Sequence, residues 1–270
     1  MNGTQRPASG LPQVRVLGAP VTVCTFVEAQ DELARLVARG GGACVSCANA
    51  YSTTMATDRP DFARVLAQAD MVTADGMAVV WALHALGHGR AERVHNDDLF
   101  LACCARFKHW RHFLVGGRVG QTEAVAAAMR VRFPGIDVVG GCATPVRPVP
   151  ADQQAQILAQ IAAARASIVW VGMGTPAQDH WMHASAPLAG VPMVGVGSLF
   201  DLLAGHTRAA PEWVKRSGLQ WAFRLAQEPR RLAGRYVVYN TRFVLGLARQ
   251  WWSARRSRRS RHAGRGGPGG

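Results

Sequence analysis

The sequence predicts an α/β fold: a mostly parallel, Rossmann-like sheet with helices on both faces, followed by a helical, basic C-terminal appendage. Three observations carry this. Short apolar runs alternate with longer segments of helical period, the signature of strand–helix repeats around a parallel sheet. Runs such as Ile168-Val169-Trp170-Val171 are apolar at every position, as strands covered on both faces must be. After Asp201 the strand signals stop and basic residues gather.

The elements follow in order. Residues 1–18 are rich in Gly, Pro and polar side chains and have no apolar stretch, so they are expected to be disordered and not a signal peptide. The catalytic-size body, 19–205, carries expected strands at 42–46, 71–74, 112–115, 136–139, 168–171 and 193–196. Between them the apolar spacing predicts helices at 30–38, 60–68, 77–86, 98–106, 120–132, 151–164 and 177–185. Asp58 ahead of Pro60 reads as a helix start. In the appendage, 206–253, helices are expected at 211–218, 219–226 and 229–253, with Pro229 suited to a first helical position. Residues 254–270 turn Arg/Ser-rich and then Gly-rich, and disorder is expected there.

Charge divides the chain in the same place. The net charge is +14, but residues 206–270 hold 15 basic and 2 acidic side chains, whereas residues 1–205 hold 16 and 15. A near-neutral body thus carries a basic tail, which points to a polyanionic partner: an anionic membrane surface or nucleic acid. The six cysteines sit mostly in apolar surroundings and read as buried thiols; Cys44-Val45-Ser46-Cys47 has no second ligand pair, so zinc is not expected. No apolar run is long enough to span a bilayer. A cytoplasmic protein that sits on a membrane without crossing it is expected.

In parallel sheets ligands bind at the carboxyl ends of the strands, so the loops at 47–53, 73–76, 116–120, 172–178 and 195–201 matter most. Asp75-Gly76 follows the run ending at Ala74; Asp75 is either a general base in the crevice or the cap of the helix near Met77. Asn49 follows the first strand, and its amide suits a sugar hydroxyl or a turn. Gly172-Met173-Gly174-Thr175-Pro176-Ala177-Gln178 allows close backbone approach at a helix N-terminus that would favour phosphate. Gly116-Gly117 opens a similar turn; such glycines also serve plain tight turns. Arg93 either holds a diphosphate or pairs with an acidic neighbour. Asp97-Asp98 reads as a helix cap ahead of Leu99 rather than a metal pair. His84 and His88 lack a third ligand.

These blocks occur in an order that resembles the WecG/TagA/CpsF family of bacterial glycosyltransferases, over residues 20–245. The carriers are Asn49-Ala50, Ala74-Asp75-Gly76, Glu92-Arg93-Val94 with Asp98-Leu99, and Gly116-Gly117. They continue through Gly172 to Asp179, Gly195-Val196-Gly197 with Phe200-Asp201, Gln220-Trp221, Arg224-Leu225 and Glu228-Pro229-Arg230-Arg231. The resemblance implies inverting transfer of a hexose or N-acetylhexosamine from a UDP-sugar to a polyprenyl-diphosphate-linked saccharide, in exopolysaccharide or other cell-surface polysaccharide synthesis. It implies no cofactor and no metal. By resemblance Asp75 is the base. Cys47, Asn49, Arg93, Gly116, Gly172, Gly174, Gln178 and Asp201 bind substrate, with Arg93 suited to charge on the leaving UDP. Arg224, Arg231 and Arg235 are expected to face a diphosphate or the membrane.

Several positions depart from the family pattern. Cys47 stands where Thr is common, Asn96 where Gly is, and Ala177 and Asp179 where Lys and Glu are. Arg-Ala-Pro reads Ala209-Ala210-Pro211, and Leu-Glu-Trp reads Leu219-Gln220-Trp221. These bear on donor and acceptor rather than on reaction class. In the tail, Leu232, Tyr236, Tyr239, Phe243, Leu247 and Trp251 recur at helical spacing with arginines beside them. That stripe lies on an anionic membrane or packs on the body, or does both along its length. The competing reading, an α/β protein whose tail tracks nucleic-acid phosphates, leaves the ordered loops and Asp75 without a task. A dehydrogenase would need a GxGxxG after the first strand, which is missing. The oligomeric state is left open.

Overall fold

All six apolar runs become strands of one parallel sheet. The computed structural model describes residues 10–211, 213–214 and 220–263, the side chains of 231, 232, 235 and 257–263 excepted. The strands are β3 Cys44–Ala48, β4 Met71–Ala74, β5 Arg111–Gly116, β6 Asp137–Cys142, β7 Ile168–Gly172 and β8 Met193–Gly195, in the order β4-β3-β8-β7-β5-β6. β3, β4, β7 and β8 are buried along their whole length. Alternate residues enter two apolar clusters: Val169 and Val171 join one, Ile168 and Trp170 the other.

The predicted helices are present as α1 Phe26–Arg39, α3 Pro60–Ala67, α4 Met77–Ala85, α5 Asn96–Arg106, α6 Gln121–Arg132, α7 Ala151–Ala163 and α8 Ala177–Ala189. Two more appear, α2 Ala50–Asp58 and the short α9 Leu199–Leu203. α2 carries Ser, Thr and Tyr in place of an apolar stripe, so no helical period marks it. Its threonine hydroxyls donate back to helix carbonyls: Thr53 Oγ1 to Asn49 O at 2.8 Å and Thr57 Oγ1 to Thr54 O at 2.6 Å. Asp58 ends α2 and does not start α3, whose cap position is Arg59 with no side-chain bond.

Regular structure reaches into both ends that the sequence assigns to disorder. β1 Gln13–Val16, inside the stretch 1–18 expected to be disordered, pairs with β2 Ala19–Thr22 in an antiparallel hairpin. Val16, Ala19 and Val21 are fully buried in the first cluster, which orders the strands despite Pro20. At the other end α10 Gln220–Gln227 is followed by α11 Pro229–Ala263, which runs ten residues past Ser253. Arg and Ala are strong helix formers and the first Gly after Ser253 is Gly264, so nothing breaks the helix there. Residues 1–9, 212, 215–219 and 264–270 lie outside the described residues, and with them most of the helix expected at 211–218.

α11 docks on α2 and the hairpin. Phe243 is 3% exposed, Tyr239 meets Tyr51 edge-on at 4.7 Å, and Leu247 packs beside them. Arg242 donates twice to Asp58, at 2.7 and 2.6 Å. Gln250 clamps the hairpin, accepting from Leu17 N at 2.9 Å and donating to Arg15 O at 2.6 Å. The tail's apolar stripe is therefore packed on the body over its middle turns.

Candidate active site

A cleft of about 700 Å³ opens at the carboxyl ends of β4, β3, β8 and β7. Strand register places its central pair. Ala48 of β3 lies opposite Ala74 of β4, so the next residues, Asn49 and Asp75, emerge side by side. Asn49 Nδ2 donates to Asp75 Oδ2 at 3.4 Å. Asn49 Oδ1 accepts from Ser52 N at 3.1 Å, which caps α2 and locks the amide. Asn49 thus caps a helix and lines the cleft at the same time.

Asp75 does not cap α4, where Gly76 holds the cap position without a side-chain bond. Its Oδ1 instead accepts from Asn96 N at 3.1 Å, at the first residue of α5. His95 caps α5: its Nδ1 accepts from Asp97 N at 3.3 Å, which leaves the ring proton on Nε2, 3.8 Å from Asp75 Oδ1. Asp98 is thus inside the first turn of α5, not its cap, because the chain turns at His95. The carboxylate is fixed from three sides and 14% exposed, open to a substrate hydroxyl in the cleft.

Gln178 ties the two glycine loops together. It is buried, and its Oε1 accepts from Gly174 N at 3.1 Å and from Gly197 N at 3.0 Å. A side chain on Gly195 would meet Gln178 Nε2 at 2.7 Å, so this glycine makes room for the clamp. Cys47 lines the cleft floor as a thiol: Sγ donates to Gly195 O at 3.4 Å, and burial pushes its pKa well up. Next to Gln178, Asp179 is buried beside Ser46 and Thr175; burial pushes its carboxyl up to about 6. Burial likewise raises Asp97, with Arg224 pulling the other way.

Three arginines line the cleft. Arg93 donates to Asp98 Oδ2 at 3.0 Å and to Gln220 Oε1 at 3.2 Å, so it both pairs with an acid and fastens α10. Arg224 of α10 donates to Ser198 Oγ. Arg147, from the loop after β6, donates to Met173 O. Trp221, Tyr236 and Asn240 bring α10 and α11 over the opening. Among the described residues, no three or more His, Cys, Asp or Glu gather where they could hold a metal ion.

The family model described as Glycosyl transferase WecG/TagA/CpsF family matches residues 14–257. The chain belongs to this family. It is a glycosyltransferase, with a sugar donor and an acceptor as its substrates. The match begins one residue into β1 and ends inside α11, so hairpin and tail are part of the family body.

For a glycosyltransferase the cleft gathers most of the residues singled out in the sequence: Cys47, Asn49, Asp75, Arg93, Gly174, Gln178 and Arg224 all line it. Gly116, Gly172 and Asp201 do not. Gly116 packs on Gly172, whose carbonyl oxygen would lie 2.5 Å from an added Cβ, and a Cβ added to Gly172 would lie 2.7 Å from the Phe200 ring. These glycines let strand ends and α9 approach closely. Asp201 Oδ1 accepts from Gln121 Nε2 at 2.9 Å, which ties α9 to α6 behind the cleft. The side chains of Arg231 and Arg235 lie outside the described residues. Sequence reasoning passed over His95 and Arg147. Arg147 follows β6, and that strand's loop was the one strand end not read.

Proposed function

We propose that this glycosyltransferase moves a hexose or N-acetylhexosamine from a UDP-sugar to a polyprenyl-diphosphate-linked saccharide, with inversion and without a divalent ion. Asp75 is the catalytic base. It takes the proton of the acceptor hydroxyl as that oxygen attacks the anomeric carbon. The bond from that carbon to the UDP oxygen breaks, and its electron pair leaves with UDP. Attack from the face opposite the leaving group inverts the configuration. Asn49 and Gln178 orient the sugar and acceptor. Arg93 and Arg224 offset charge on the diphosphates, as preorganised donors in a shielded site do best.

The observation that carries the reading is the Asp75 carboxylate, held by Asn49, Asn96 N and His95 at the rim of a cleft lined with arginines. A membrane-bound acceptor fits the surface beside it. Trp81, Trp221 and Val244 line the cleft and are 57%, 46% and 63% exposed. Tryptophans and arginines together suit a headgroup boundary. No helix among the described residues is long and apolar enough to cross a membrane, so we propose peripheral attachment to the inner face of the plasma membrane through α10 and α11.

The test is Asp75→Asn assayed with a panel of UDP-sugars and defined polyprenyl-diphosphate saccharides, with and without EDTA. Turnover is expected to fall by about 10²–10⁴-fold, the range of general-base catalysis, while UDP binding by calorimetry stays unchanged. Retained turnover in the variant removes Asp75 from the mechanism. Loss of wild-type activity in EDTA overturns metal independence.

A further inference from the structure

We propose that Arg147 is a substrate-binding residue of this cleft, and that it holds the diphosphate of the leaving nucleotide. The inference rests on the donor being a nucleoside diphosphate sugar. None of the blocks that carry the family resemblance contains Arg147.

The three cleft arginines differ in how their charge is spent. Arg93 is within 3.0 Å of the Asp98 carboxylate, and Arg224 donates to Ser198 Oγ and, with His95, lowers the pKa of the half-buried Asp97 that burial raises. Arg147 makes one hydrogen bond, to the neutral carbonyl of Met173, and pairs with no carboxylate among the described residues. An exposed guanidinium with five donors and one neutral acceptor keeps its charge and most of its donors for a ligand.

Its position matches the chemistry. Asp75 follows β4 at one edge of the sheet, while Met173 follows β7. β4 and β7 are three strand spacings apart, about 14 Å. An inverting displacement needs its base and its leaving group on opposite sides of the sugar. A hexose seated between these points has its attacking hydroxyl at Asp75 and its departing oxygen toward Arg147. The N-terminus of the thirteen-residue helix α8 opens on the same end, with Thr175 and Ala177 lining the cleft and no side chain capping it. Its dipole adds to the same charge preference. Arg93, bonded to Asp98 in the first turn of α5 whose leading N–H meets Asp75, stands nearer the acid end.

The test compares UDP with uridine in calorimetry on the full chain, for wild type, Arg147→Gln and Arg147→Lys. The Gln variant is expected to bind UDP about tenfold or more weakly, the scale of one charge-assisted hydrogen bond. Uridine affinity is expected to stay unchanged, and the Lys variant to fall between. In turnover, KM for the donor rises with the UDP Kd. Equal loss of UDP and uridine would mean that Arg147 only props the loop, and overturns the assignment. So does an unchanged UDP affinity in Arg147→Gln when wild type binds UDP well, which leaves the donor reading standing. If wild type prefers another nucleoside diphosphate, the same comparison is run with that nucleotide and its nucleoside. If it binds none, the donor reading and this assignment fall together.

Discussion

The sheet body and the C-terminal helices are held in different ways. In the body, whole strands are buried and two apolar clusters fill both faces. In α10 no residue is buried, and among the described side chains of α11 only Phe243 is. Yet both regions line the same cleft: Asp75, Asn49 and Gln178 come from the body, Arg224, Trp221 and Tyr236 from the helices. The acid is set in a rigid frame, while the cationic and aromatic cover rests on one apolar stripe and a few polar clamps. Loosely held elements are the ones that open locally and admit substrate.

Truncation after Gly205 tests this division most severely. It removes the cover and leaves the acid's frame in place. Activity on a lipid-linked acceptor is expected to fall sharply and liposome flotation to vanish. Full activity after the cut would dissolve the distinction. Phe243→Ala asks how much rests on one contact. Truncating a phenylalanine buried this fully costs about 3–5 kcal/mol, so hydrogen exchange is expected to lose protection in α11 while β7 and β8 keep theirs. Equal loss in both regions would make body and tail a single cooperative unit.

Asp179→Asn probes the frame itself. Burial raises the Asp179 carboxyl to about 6 in the folded chain. The folded state thus holds its proton more tightly than the unfolded state does. Its contribution to stability is present below the ordinary carboxyl range and is lost as pH rises through about 6. Removing the charge is expected to stabilise the chain at pH 7.5 by on the order of 2 kcal/mol, and to do nothing at about pH 3.5. Denaturant unfolding at the two pH values measures it. Arg242→Ala should have the smallest effect. The Asp58 pair is half exposed, and such pairs contribute little and are screened by salt. Hydrogen bonding from Arg242 lowers the Asp58 pKa, so what the pair does contribute is present above the ordinary carboxyl range and lost in acid. A salt-sensitive rise in α11 exchange is the expected readout.

Much of the site was legible because a parallel sheet delivers its strand ends to one edge. Reading the residues after each apolar run was enough to find Asn49, Asp75, Gly174 and Gln178. Gly116 and Gly172 fall outside the cleft lining, and the sequence could not say so for a physical reason: a position that needs no side chain looks alike whether a ligand, a strand or a phenylalanine ring fills the space. At Gly116 and Gly172 the nearest atoms to an added Cβ are those of Gly172 and of the Phe200 ring. Asp201 also lies outside the cleft lining, and its carboxylate accepts a hydrogen bond from Gln121. α2 escaped notice because it is helical by packing and capping rather than by apolar period.

By itself the sequence determined the sheet, the division of charge and the acid at the strand end. These follow from local patterns: apolar runs, turn residues and composition. Only the tertiary structure decided which neighbours each polar group meets. It paired Arg93 with Asp98, left Arg147 without a carboxylate among the described residues, set His95 against Asp75, and laid the tail's apolar stripe on α2. Such pairings depend on strand order and helix docking, which join residues far apart in the chain. A one-dimensional pattern carries the strength of a group's charge, but not the distance to the group that cancels it.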